Sequence, residues 1–221
     1  MDIKSEKFSS ILELIIVILL GITAVLTAYA SWQASLYDGN QASAYTESTA
    51  ILSDANSLYT QDYQSYMQDL NTWNQIEDIR TDLLYAQDKN DAAEVERLQY
   101  KLDVIMFNNV DDRFQAAIDW ADAQEEYTSP FEKEGFYDEY YQDADAKYEE
   151  GWAKMDEGQL ANDLGDKQGL VTVIFSVVLF LLGIVSTLKN IKIRMAVVVL
   201  SFGTLVFGVI MMLSVPLLPI G

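Results

Sequence analysis

Residues 169–218 read GLVTVIFSVVLFLLGIVSTL-KNIKIR-MAVVVLSFGTLVFGVIMMLSVPLL. Two uncharged apolar runs, 169–188 and 195–218, flank six residues of which three are basic. A helix needs about 20 apolar residues to cross about 30 Å of hydrocarbon. Both runs meet that length, and a linker of six residues makes them antiparallel neighbours. A third run lies at the other end of the chain, 8–30, FSSILELIIVILLGITAVLTAYA, with Glu13 as its only charge. These runs predict three transmembrane helices, at 10–30, 169–188 and 195–218. The first also has features of a secretory leader, because Lys4 and Lys7 precede it and Ala28-Tyr-Ala30 resembles a cleavage site. A leader's apolar stretch is about 7–15 residues, however. This run is longer and reads as an uncleaved anchor.

Orientation follows from the basic residues near the spans. Lys4 and Lys7 lie in the segment 1–9, and Lys189, Lys192 and Arg194 lie in the turn 189–194. The intervening segment 31–168 holds 31 acids against 9 bases, a net of −22, whereas the rest of the chain carries +2. The expected topology therefore has a cytoplasmic N-terminus and turn. The domain 31–168 and the C-terminal residues 219–221 are extracytoplasmic. Pro216 and Pro219 are expected to end the last helix.

The whole chain has 221 residues, 34 Asp and Glu against 14 Lys and Arg, no His and no Cys. This composition removes zinc fingers, haem and iron–sulfur ligation, and thiol or imidazole catalysis. A net charge of −20 repels phosphate, so nucleic acid is not an expected partner. There is no phosphate-binding loop and no HExxH or nucleophile motif, and no pair among the many carboxylates is singled out. The expectation is a protein that is not an enzyme and carries no cofactor. Asp143-Ala-Asp145-Ala-Lys147 fails the EF-hand pattern, since lysine occupies a ligand position and no glycine follows. The pairs Asp111-Asp112, Glu125-Glu126, Asp138-Glu139 and Glu149-Glu150 read as solvated surface, with weak Ca²⁺ or Mg²⁺ association left open.

The acidic segment is too aromatic for a disordered tail: four Trp, twelve Tyr and four Phe fall within it. Its periodicity is helical. Leu52, Tyr59, Tyr66 and Trp73 recur every seven residues, Tyr63 and Leu70 fall between them, and Leu84 keeps their phase. A break is expected at 88–91, with Asp91 and Glu94 as a capping box. Val95, Leu98, Leu102 and Ile105 continue the pattern. Residues 107–112 interrupt it, and Phe114, Ile118 and Ala121 resume it. Ser129 as N-cap, Pro130 and Glu132 are expected to start another helix. Its apolar line is Tyr137, Tyr141, Ala144, Tyr148, Trp152 and Met155, with Gly151, Gly158 and Gly165 weakening its later part. The fold class is thus all-α: three transmembrane helices and an extracytoplasmic bundle of long helices with aromatic seams.

The stretches AYASWQASLYDGNQA, 28–42, and DKQGLVTVIFSVVLFLLG, 166–183, resemble an uncharacterised group of prokaryotic membrane proteins. The resemblance implies one N-terminal span, a helical external domain and a C-terminal two-span hairpin. It implies no activity and transfers no functional residue.

Within the spans, Glu13 is the intramembrane carboxylate and so the first functional candidate. It either reaches the cytoplasmic interface near Lys189, Lys192 or Arg194, or faces a shared axis between subunits. Gly21, Ala24, Ala28 and Ser31 form one small-residue stripe, and Ser201, Thr204 and Gly208 another. Such stripes let helices approach closely, or face a pore. The expected function is a homo-oligomeric, channel-like membrane assembly with an acidic, cation-attracting external vestibule. The alternative is a membrane-anchored scaffold, sensor or accessory subunit whose external bundle binds another protein.

Overall fold

A computed structural model describes the backbone of residues 3–219 and the side chains of 10–219. Among these residues there is no strand. The elements are α1 (Ile3–Asp88), α2 (Ala92–Asn109), α3 (Asp112–Asp122), a 3-10 turn (Pro130–Glu132), α4 (Phe136–Val185) and α5 (Ile191–Ser214). α1, α4 and α5 each contain a stretch long and apolar enough to cross a membrane. Thr49–Trp152 forms one compact unit, and the remaining described residues form the other. α1 and α4 contribute a segment to each.

In the unit that carries the apolar runs, α1, α4 and α5 share a core. Leu12, Ile16 and Ala30 of α1 meet Val171, Phe175, Val178, Leu182 and Val185 of α4, and Val198, Leu205 and Met212 of α5. Close packing depends on small residues. A Cβ on Gly208 would lie 2.5 Å from Phe175 Cε1. A Cβ on Gly158 would collide with the Tyr45 ring, and one on Gly165 would lie 3.2 Å from Tyr37 Cβ. These glycines are thus close-approach positions against α1, where the sequence reading had them only as weak points of the helix. α4 stops at Val185, and the turn occupies 186–190. Asn190 caps α5 by accepting from the Lys192 N–H at 3.0 Å, so the last four residues of the expected turn 189–194 already belong to a helix.

α5 ends at Ser214, four residues short of the expected span end. Val215, which precedes Pro216, is extended, as proline's ring demands of its neighbour. The tail 215–218 then docks on Tyr37, Ala161 and Leu164. The buried Gln33 holds it by two bonds. Its Nε2 donates to the Leu218 carbonyl at 3.0 Å, and the Leu218 N–H donates to its Oε1 at 2.9 Å. The Tyr37 hydroxyl donates to the Pro216 carbonyl, and Gln168 Nε2 donates to the Met212 carbonyl at 3.2 Å. These side chains satisfy backbone groups left over where the helix stops.

In the unit Thr49–Trp152, two clusters form the core. Trp73 and Ile76 pack with Phe114, Ala117 and Ile118 of α3 and with Phe136, Tyr140 and Tyr141 of α4. Ile79, Leu83 and Ala86 pack with Leu98 of α2. The breaks fall where expected. Asp91 caps α2 through the Glu94 N–H, and Asp111 caps α3 through the Phe114 N–H at 2.7 Å. The other half of the expected box at Asp91 does not form, because the Glu94 carboxylate takes Arg97 instead, whereas the box at Ser129 is complete but starts only three residues of 3-10 turn. Gly135, at φ 77°, reverses the chain there, and the long helix begins at Phe136.

The seams are corrected in phase. Trp73 is buried, yet Tyr63, Leu84, Tyr137 and Trp152 are 53%, 68%, 49% and 56% exposed. A strict seven-residue repeat drifts about 20° per heptad on a straight helix. Leu84 stands three heptads beyond Tyr63, and the line these two mark starts and ends off the core face. Ile76, Ile79 and Leu83 hold the inward positions in its place. Gly151, like the other two α4 glycines, is a contact point: its Cβ would lie 2.7 Å from Leu52 Cδ2.

Candidate functional site

Glu13 and Arg194 come together. Glu13 Oε1 lies 3.6 Å from Arg194 Nη2, and the guanidinium stem is nearly covered while the carboxylate is largely exposed. Arg194 Nε is buried without a hydrogen-bond partner. The first turn of α5 places Arg194 against α1, and Lys189 and Lys192 point outward. The side chains of Lys4 and Lys7 lie outside the described residues. Of the two placements read from the sequence for Glu13, the contact corresponds to the one beside the basic turn. A pair that exposed contributes only about 0–1 kcal/mol in water.

The two small-residue stripes have different surroundings. Ser201 and Gly208 are buried against α4 within the monomer, and Thr204 is half-buried. Gly21, Ala24, Ala28 and Ser31 are exposed, and no atom lies within 4 Å of a Cβ placed on Gly21. The span hydroxyls are bonded locally. Thr23, Thr27, Ser201 and Thr204 each donate to the carbonyl four residues earlier, at 2.7–3.0 Å.

The unit Thr49–Trp152 holds a polar network that sequence reasoning missed. Asp69, 8% exposed, sits on α1 among the aromatics. Its Oδ2 accepts from the Tyr140 hydroxyl at 2.6 Å and from Arg113 Nη2 at 3.0 Å. The guanidinium lies over the Tyr140 ring, 3.8 Å from its centroid, and 5.5 Å from that of Phe136. Burial raises the Asp69 carboxyl above its ordinary range, outweighing the Tyr140 and Arg113 hydrogen bonds that lower it. Burial and then the Asp69 contact push the Tyr140 phenol upward, so it stays a donor. An open polar cavity of about 310 Å³, lined by Ser65, Gln68, Asn108 and Asn109, reaches Asp69 and Arg113. The carboxylate oxygen already takes two donors and the phenol holds its proton. The network therefore ties α1, α3 and α4 together. Arg80 makes a second tie. It bonds Asp122 through two contacts of 2.8 Å and covers the Trp73 ring at 5.3 Å. The only sequence trace of these ties is that Asp69, Arg80 and Arg113 are charges within apolar stripes.

The acid pairs at 111–112, 125–126, 138–139 and 149–150 are exposed. Among the described residues, no three acidic side chains gather in a way that could hold a metal ion. No protein-family model, curated protein or solved structure matches the chain.

Proposed function

We propose that this chain is a non-enzymatic integral membrane protein that crosses the bilayer three times and assembles with copies of itself. Its basic turn lies in the cytoplasm. Its acidic helical domain lies on the other side and concentrates cations around the assembly. The observation that carries self-assembly is the exposed face of Gly21, Ala24, Ala28 and Ser31 on α1, whereas the stripe of Ser201 and Gly208 on α5 is already buried inside the monomer. Small residues at a lipid-facing position let a second helix approach closely, and packing between spans is what drives association in lipid. The charge partition supports the rest: a net of −22 over 31–168 raises the local cation concentration wherever several copies meet. The locally bonded span hydroxyls favour cation attraction outside the bilayer over a polar conduit through it.

Native mass spectrometry of the full-length protein from detergent tests this reading. A defined oligomer is expected, and Gly21→Ile with Ala28→Ile should shift it toward monomer. Monomers alone from the parent chain would overturn it. Planar-bilayer recording of the same material separates a conducting assembly from a closed one.

A second reading is a membrane-anchored scaffold, sensor or accessory subunit that binds another protein. Exposed aromatics on the helical domain, Tyr127 at 78% and Trp152 at 56%, favour it. That reading stands if the parent chain is monomeric.

A further inference from the structure

α2 carries an apolar stripe that none of the described residues covers. Its inner face, Val95, Leu98, Leu102 and Ile105, packs on α1. On the opposite face Tyr100 is 72% exposed, Phe107 88% and Val104 39%. At 100° per residue, Ala93, Tyr100 and Phe107 fall within about 40° of one another, a line about four turns long. Single exposed aromatics are ordinary, but two at heptad spacing, with Val104 beside them, on a short helix read as a contact face. The flanks of this line are of opposite sign. Glu96 and Asp103 lie along one edge, and Arg97 and Lys101 along the other. Beside the acidic edge runs an open groove of about 710 Å³, lined by Val95, Gln99 and Tyr100 with Gln87 and Asn90.

We infer that α2 of one copy pairs with α2 of a second copy, the two helices parallel, with Tyr100 and Phe107 at the seam. The charges select this occupant and this direction. In a two-fold pair of parallel helices, each edge meets the opposite edge of the other copy. Glu96 then lies within one residue of the level of the partner's Arg97, and Asp103 within two of the partner's Lys101. In an antiparallel pair the acidic edge would meet itself, and juxtaposed like charges are unfavourable. The basic edge enters the groove that the acidic edge borders. Arg97 pairs with Glu94 at 2.6 Å on the monomer's surface and shares or exchanges that partner when Glu96 of the second copy approaches.

The inference rests on the self-assembly reading above and adds a contact outside the spans. Cysteine cross-linking of the full-length protein in membranes tests it, and the native chain has no cysteine to confuse the result. Three single variants, Ala93→Cys, Tyr100→Cys and Phe107→Cys, should each form disulfide-linked dimers under mild oxidation, because a parallel seam places every residue opposite its own copy. Glu126→Cys, exposed and off α2, is the collision control and should not. Reversing Glu96→Lys with Asp103→Lys should slow cross-linking of Phe107→Cys about tenfold or more. Adding Arg97→Glu with Lys101→Glu should restore it. Circular dichroism of each variant should match the parent, since every altered side chain is exposed. Cross-linking at position 100 alone would mean an antiparallel pair and overturn the inference, as would equal cross-linking of the control. No cross-link in a preparation that native mass spectrometry shows to be oligomeric would overturn it while leaving self-assembly standing. No cross-link with monomers would overturn both.

Discussion

At the scale of single residues, Asp69 joins packing to proton binding. It lies among aromatics with only one guanidinium and one phenol to compensate it, and burial is the largest influence on its carboxyl. The folded value therefore lies above the unfolded one, so the proton-bound form favours the fold. That contribution is complete below the ordinary value of 3.8 and is lost as pH rises through the folded value. Melting of the parent and of Asp69→Asn from pH 3 to 7 checks this. The parent's stability relative to the variant should be greater at pH 3 than at pH 7, and a pH-independent difference would mean a solvated carboxyl. Tyr140→Phe removes one donor from the same oxygen and is expected to cost about 1–2 kcal/mol at neutral pH. Trp73, read from the sequence as a seam residue, is buried beside this network. Asp69 gave no such signal, because a lone acid on a helix is ordinarily a surface residue. Only the arrival of Arg113 and Tyr140, 44 and 71 positions away, makes it an inner one.

At the scale of elements, what was legible is what is local. The caps expected at Asp91 and Ser129 work through groups two or three residues away, and both side chains cap, although Glu94 turns to Arg97 and does not close the box at Asp91. The helix expected from Pro130 starts six residues late, at Phe136, for an equally local reason, the reversal at Gly135. What was not legible depends on a second element. Tyr137 and Trp152 keep helical spacing yet face outward, because the neighbour that defines "inward" changes along the chain. The α4 glycines look like defects until α1 lies against them. Two substitutions separate these roles. Gly39, in the middle of α1, has nothing near its missing side chain, so Gly39→Ala should raise stability by about 0.5–1 kcal/mol. Gly158→Leu should lower it by about 1–3 kcal/mol, since the Tyr45 ring fills that space. Thermal melts of the two in one detergent check the opposite signs. Equal effects would mean that α1 and α4 do not touch at Gly158.

At the scale of the whole chain, hydropathy and charge carried the reading: three apolar helices, one basic turn, and an acidic helical segment between the first two. The expected topology has a direct check. In intact cells, a membrane-impermeant maleimide should label Glu126→Cys and leave Lys192→Cys unlabelled, and labelling of the latter from outside would invert the arrangement. The clasp of Gln33 on Leu218 spans 185 positions and had no trace in the sequence. Gly158 and Gly165 have a further consequence. They stand seven apart on α4, and the residues they meet on α1, Tyr45 and Tyr37–Asp38, are spaced alike. A ruler with equal divisions does not say which division is in use, so a slide of one heptad would again set glycine against a side chain of α1. The mark that breaks this equivalence is the amide pair Gln41 to Asn162, at 2.9 Å. Sliding by seven residues would put Asn162 opposite Ala34 or Ser48, and neither could complete that pair as Gln41 does. The glycines set how close the two helices lie, and polar pairs such as Gln41 with Asn162 mark where along each other they stop.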